Sequence, residues 1–268
     1  MQNQSNVGLA EGLRLTIMLA RRDIRTRYAT SFAGAIWSVA LPLLFALVNV
    51  VVFSVLMTGR MGTRYGDVPF ALFYFVPFSL WALFTEVSSR STTILREYHY
   101  LITKIAFPVW VIPLVPIASA LISQVVMFAI IVFLLVTKGV APSPDAWAFF
   151  VIWGLAILMT VGVSYLFSSI AMFVPDLGQL VPVLTTIMFW LTPILYPVNM
   201  AEDGPMWFRN IVIHFNPFYY MVESSRLAVL GVEPMPWSYV AIFGCFAGVT
   251  FIAGMHVFNK LKAGFADV

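Results

Sequence analysis

A chain of 268 residues that is 61% hydrophobic and only 10% charged does not fold as a water-soluble globule. Soluble domains are about a quarter charged, and this chain has too little polar surface to cover such an interior. The net charge of +3 points to no nucleic-acid partner, and the lone Cys245, set in an apolar run, leaves no disulfide framework and no Cys-based metal site.

The first predicted element in chain order is an amphipathic helix over 8–30. Leu9, Leu13, Ile17, Ala20, Ile24 and Tyr28 recur every three or four residues as one apolar stripe. Arg14, Arg21 and Arg25 line its flank, and Asp23 is spaced to pair with Arg27 at i,i+4. A helix of this kind lies in the membrane interface. Four arginines, Arg21, Arg22, Arg25 and Arg27, fall within seven positions just before a long apolar run. Two readings are open. The charges fix the start of the first span on the cytoplasmic face, or they also receive an anionic lipid-linked substrate, since guanidinium binds phosphate bidentately. The first thirty residues lack the apolar core and small-residue site of a cleavable signal peptide.

Six stretches satisfy the length of a membrane span: 33–57, 69–88, 110–136, 147–172, 179–198 and 237–258. Helices are the reading, because barrel strands would be shorter and would alternate apolar with polar residues. Six spans put both termini on one side. That side holds Arg14, Arg21, Arg22, Arg25, Arg27, Arg90, Arg96, Lys104, Lys260 and Lys262, and the other holds Arg60, Arg64, Lys138, Arg209 and Arg226. Ten against five predicts cytoplasmic termini.

Two connections are neither span nor simple turn. On the cytoplasmic side, 92–106 reads as a short helix with Ile94, Tyr98, Leu101 and Ile105 on its apolar face. It either rests in the interface alone or presents a polar knob to a soluble partner. On the outer side, 200–232 mixes aromatics with Glu202, Asp203, Arg209, Glu223 and Arg226, which suits two short, half-buried helices better than a span. Pro217 and Gly231 bracket one of them.

Catalytic signals are sparse. The lysines follow no phosphate-loop glycines, and His99, His214 and His256 have no metal-ligand spacing. Ser164 and His256 fall on the fourth and sixth spans, as in rhomboid-type intramembrane proteases. "GVSY" lacks that family's second glycine, however, and small residues there suit helix packing. Asn49, Glu86, Gln124 and Gln179 are the polar residues within spans and should face protein or water. One carboxylate near a helix end is too little for a proton-coupled pump, so the energy comes from elsewhere. Pro42, Pro77, Pro113, Pro116, Pro182, Pro193 and Pro197 bend the spans, either as static kinks or as points of flexing. Phe70, Tyr74, Phe78 and Trp81 share one face, which serves lipid contact or stacking on sugar rings.

Four stretches, "RRDIRTRYATSFAGAIWSVALPLLFALV", "FVPFSLWALFTEVSSRSTTILREYHYLITKIAFPVWVIPL", "VPDLGQLVPVLTTIMFWLTPILYPV" and "NPFYYMVESSRLAVLG", together resemble the membrane subunit of ABC-2 type exporters. The nearest group is the one that exports O-antigen and related cell-surface polysaccharides. The resemblance implies an all-α integral membrane protein of six transmembrane helices with an N-terminal interface helix, a cytoplasmic coupling helix and short periplasmic gate helices. It implies a homodimer in the bacterial inner membrane, joined to two ABC ATP-binding subunits that carry the ATP and Mg, so this chain holds no cofactor and is no enzyme.

Carried over residue by residue, the resemblance makes Leu95, Arg96, Glu97, Tyr98, His99, Leu101 and Lys104 the ATPase-coupling residues. Arg21, Arg22, Arg25 and Arg27 would meet an undecaprenyl pyrophosphate. Trp37, Phe45, Phe78, Trp81, Phe189, Trp190 and Tyr196 would line the polysaccharide path. Phe215, Asn216, Pro217, Tyr219, Tyr220 and Arg226 would form the outer gate. The expected cargo is a lipid-linked polysaccharide such as O-antigen. Teichoic acid, capsule or a small amphipathic drug are alternatives on the same architecture. Pro175 stands where relatives commonly have Arg, which puts any salt bridge of that Arg in doubt.

Overall fold

The computed structural model describes residues 8–27, 36–104 and 107–265, and among these every regular element is helical. Tyr28, the first residues of the first predicted span and Ile105 lie outside the described residues, as do the side chains of Arg27 and Lys104. The Asp23–Arg27 pair therefore falls outside them too.

α1 spans Leu9–Arg27 and α2 Trp37–Leu56. The short α3, Gly62–Tyr65, leads into α4, Phe70–Glu97, and α5 follows at His99–Lys104. A 3-10 turn over Val109–Leu114 opens α6, Val115–Lys138, and another over Pro144–Trp147 opens α7, Ala148–Phe173. α8 is Leu177–Leu191, and α9, Asn199–Glu202, and α10, Met206–Arg209, are single turns. After a π turn at Asn210–His214 come α11, Pro217–Leu230, and α12, Trp237–Leu261.

Four of these segments are long and apolar enough to cross a membrane: Phe70–Glu97, Val109–Lys138, Pro144–Phe173 and Trp237–Gly264. Ala40–Leu56 and Leu177–Leu191 are apolar but shorter. α8 falls short because Thr192 precedes Pro193. The ring forces Thr192 extended, at φ −100° and ψ 133°, and offers no N–H to continue the helix.

α4 is longer than predicted. It does not end near residue 88 but continues to Glu97, so Leu95, Arg96 and Glu97 lie on its last turn and not on a separate helix. The stretch "SSRSTTILRE" contains neither Gly nor Pro. Its hydroxyls bond back into the helix, Ser91 to the Val87 carbonyl and Thr92 to the Ser89 carbonyl, so polarity there does not break it.

α4 is the central helix, buried on most sides over Phe70–Phe84, and packs on α6, α7, α8, α11 and α2. The closest approach in the bundle is α7 against α12. A Cβ on Gly254 would collide with the Gly162 carbonyl, and one on Gly162 would come within 2.6 Å of the Phe251 backbone, so only glycine at both lets the helices touch. α1, α5 and the α7–α8 turn share one end of the bundle. α3, α9 and α11 share the other, where Tyr65 meets Glu223 and Gly62 abuts Asn199.

α1 has two faces. Gly12, Thr16, Leu19, Ala20 and Asp23 are buried against the bundle, Gly12 directly under the Trp110 ring. The apolar stripe of Leu9, Leu13 and Ile17 faces outward, with Leu9 77% exposed. Pro175 sits at the second position of a turn closed by the Leu177 N–H on the Val174 carbonyl, a place proline's fixed φ favours.

Candidate functional site: a groove between α2, α4 and α8

A groove of about 710 Å³ lies between α2, α4 and α8. Six of the seven expected path residues line it: Trp37, Phe45, Phe78, Trp81, Phe189 and Trp190. Tyr196 does not. It sits past the end of α8, its hydroxyl 3.4 Å from the Trp190 carbonyl. The rings adjoin one another, with Phe45 5.8 Å from Phe189, Phe189 6.0 Å from Trp81 and 5.6 Å from Trp190. Trp37, Phe45 and Trp190 carry the exposed ring surface, while Phe78, Trp81 and Phe189 form a buried floor, and Phe70 and Tyr74 of the face expected to stack are buried too.

The part of the groove wall toward the end that carries α1 is polar. Thr85, Glu86, Ser89, Arg90 and Thr93 continue the Phe78–Trp81 face of α4, while Thr185 and Thr186 face them from α8. The sequence carries a signal for this half: along one helical face, rings give way to hydroxyls at steps of three and four.

Arg90 anchors this end. Its guanidinium donates to Asp23 of α1, with Nε 3.1 Å from Oδ1, and to Glu97 two turns further along α4. Asp23 is buried and also accepts from Ser119 of α6 at 3.3 Å. One arginine thereby ties the interface helix to the central helix and to the approach of α5. Arg22 adds a second tie, its Nη1 donating to the Tyr100 hydroxyl at 2.8 Å. Of the four clustered arginines, Arg21 and Arg25 remain exposed without such a tie in the described contacts.

The coupling residues divide by burial. Leu95 and Tyr98 pack inward with Leu19, Ala20 and Ile112, so they hold α4 under α1 and cannot present themselves to a partner. Arg96, Glu97 and Tyr100 are exposed, and His99 and Leu101 are half-buried.

At the opposite end the expected gate is a lock on a broken helix. The extended Thr192 and Pro193 leave carbonyls of α8 and its continuation without helical donors. Asn216 Nδ2 donates to the Leu191 carbonyl at 3.3 Å and to the Thr192 hydroxyl at 2.9 Å, while its Oδ1 accepts from the Phe218 N–H and caps α11, with Pro217 at the first helical position. Arg226 is fully buried. Its Nη2 donates to the Ile194 carbonyl at 2.6 Å and its Nε to the Phe73 carbonyl at 3.0 Å. That second carbonyl lies four residues before Pro77, which has no N–H to give it. The guanidinium also lies over the Phe73 ring at 3.6 Å.

Glu223 closes the charge balance. It accepts from Arg226 at 3.5 Å, from Arg64 at 3.0 Å and from the Tyr65 hydroxyl at 2.7 Å, and Arg64 reaches on to Glu233 at 2.6 Å. Burial pulls the Arg64 pKa down, but Glu223, Tyr65 and Glu233 outweigh it and the group ends above its ordinary value. α11 is consequently buried on nearly all sides, deeper than the half-buried helix expected. Tyr219 and Tyr220 cluster with Tyr239 of α12, while Phe215 is exposed at the turn. Phe218 touches both Trp81 and Phe84, which joins this lock to the floor of the groove.

Ser164 has a structural use. In the i→i+3 pattern of the 3-10 turn before α6, Pro113 and Pro116 cannot donate to the Trp110 and Pro113 carbonyls. Tyr165 donates to the first at 2.6 Å and Ser164 to the second at 2.5 Å. Ser164 is buried, whereas His256 is exposed on α12. Asn49 and Gln124 face protein, bonded to the Phe45 and Ser79 carbonyls, and Gln179 is exposed near the start of α8.

The sequence pattern of the ABC-2 type transporter family matches residues 14–230. The chain is 29% identical over 261 residues to the O-antigen export system permease protein RfbA of Klebsiella pneumoniae, covering 95% of this chain and 94% of that one. It is 28% identical over 212 residues to the RfbA of Myxococcus xanthus, covering 79% and 78%. To the polysialic acid transport protein KpsM of Escherichia coli it is 23% identical over 245 residues, covering 89% and 90%.

Proposed function

Because the chain belongs to the ABC-2 type transporter family, a family of membrane proteins that work with an ABC ATPase, we propose that it is the permease of a bacterial polysaccharide exporter. The cargo is a lipid-linked polymer of the O-antigen type, carried outward through the inner membrane. The observation that carries this reading is the groove. A run of aromatic faces bordered by hydroxyls offers a sugar polymer broad stacking and few fixed bonds, so the polymer is held without being trapped. Family membership removes the intramembrane-protease alternative, and the hydrogen bonds of Ser164 give that residue another task.

In this reading two copies face each other and enclose the conduit, since each groove is open on one side and flanked by the exposed apolar faces of α2 and α8. α2 and α8 complete six spans with the four longer segments, with both termini cytoplasmic. The exposed Arg21 and Arg25 of α1 meet the pyrophosphate of the lipid carrier. Arg96, Tyr100 and the outer side of α5 dock on the ATPase, and the Arg90 and Arg22 ties pass its motion to α1. The lock around Asn216 and Arg226 forms the periplasmic side.

Deletion of the gene tests the reading. It predicts loss of surface polysaccharide with accumulation of lipid-linked polymer inside the cell, restored by the wild-type chain. Normal surface polymer in the deletion strain contradicts it.

A further inference from the structure

We propose that the groove admits uncharged sugar polymers and turns away acidic ones, so that the cargo is a neutral polysaccharide. This inference rests on the export reading above and specifies its substrate class. Among the described lining residues the charged ones are Glu86 and Arg90. Arg90 faces two carboxylates, Asp23 and Glu97, so its positive charge is already matched twice. The remaining polar wall is hydroxyl, from Thr85, Ser89, Thr93, Thr185 and Thr186. Hydroxyls donate and accept equally, and ring faces take the C–H faces of pyranoses, a combination that serves neutral sugars.

An acidic polymer meets a different situation. With a carboxylate in each repeat, several anions would occupy the groove together, because its α4 wall runs from Phe78 to Thr93, about 22 Å of helix. Among the described lining residues no cation is left unmatched for them, and burying an anion without a partner in a low-dielectric site is costly. Arg21 and Arg25 do not relieve this, since they sit on α1 outside the groove wall. A single phosphate at the end of a chain passes once, whereas charge in the repeat is present at every step.

The experiment expresses the chain with its ATPase partner in a strain lacking its own exporter. The strain makes either a neutral polymer or the same polymer bearing one uronic acid per repeat, both on one lipid pyrophosphate carrier, and surface polymer is measured. Neutral export at least about fivefold above acidic export is the expected result, and Thr186→Lys, which places a cation in the wall, raises the acidic-to-neutral ratio by about the same factor. Glu86→Gln, which adds no bulk, is read by the same ratio should the lysine variant fail to reach the membrane. Equal export of both polymers by the wild-type chain overturns the charge selection and leaves the export reading standing. Export of neither overturns both, and a ratio unmoved in well-expressed variants overturns the assignment of selection to this groove.

Discussion

Prolines account for much of the polar chemistry inside this bundle. Pro77 leaves the Phe73 carbonyl to Arg226, Pro113 and Pro116 leave two carbonyls to Tyr165 and Ser164, and the break at Pro193 is closed by Asn216. Each proline and each polar residue is visible in the sequence, yet their pairing is not: Phe73 and Arg226 are 153 residues apart, and only the packed fold brings them together. The i,i+3 pair Glu223–Arg226 in an otherwise apolar helix was the legible hint. Arg226→Ala leaves Glu223 partly unbalanced and two carbonyls without donors, and is expected to destabilise the protein by about 3–5 kcal/mol, read as a lower Tm in detergent. Arg226→Lys recovers little, since an ammonium lacks the planar fork that reaches both carbonyls at once. An unchanged Tm in either variant contradicts this role. Ser164→Ala removes two hydrogen bonds, the one donated to the Pro113 carbonyl and the one accepted from Ser91, so about 1–3 kcal/mol of stability goes while surface polymer remains.

At the scale of elements, the sequence announces some helix ends and hides others. Asn216 and Pro217 at the start and Gly231 at φ +62° after the end delimit α11 as their chemistry predicts. The length of α4 was not legible, because the charges from Arg90 to Glu97 read as the end of a span followed by a separate short helix until Asp23 is seen buried across from them. The apolar stripe of α1 was legible as a period, and its Leu9, Leu13 and Ile17 face outward, whereas its Ala20 packs on the protein with Gly12, Thr16, Leu19 and Asp23. Two variants test the elements. Gly254→Val forces α7 and α12 apart, and overpacking of this kind costs about 1–3 kcal/mol or more, measured as reduced membrane yield and Tm. Arg96→Glu reverses an exposed charge beside α5 and lowers co-purification of the ATPase, whereas Tyr98→Phe, buried under α1, leaves it intact. Intact co-purification with Arg96→Glu removes this face from the docking surface.

For the whole molecule, the two ends differ in kind: one is rich in exposed arginine and ties α1 to α4 and α5, the other is a closed lock of buried charge. The groove joins them, its aromatic floor touching the lock through Phe218 and its polar end held by Arg90. Composition and charge placement predict a membrane protein and an orientation, but the groove depends on how α2, α4 and α8 pack together, which no local pattern foretells. Arg60→Cys in a Cys245→Ala background reports the orientation: labelling by an impermeant maleimide from outside the inner membrane is expected, and labelling from the cytosol reverses it. The central claim is that this chain is a conduit with no energy source of its own. Purified protein in proteoliposomes loaded with fluorescent lipid-linked polymer tests it most directly: translocation is expected only when the ATPase subunit and ATP are both supplied, and translocation by this chain alone contradicts the account.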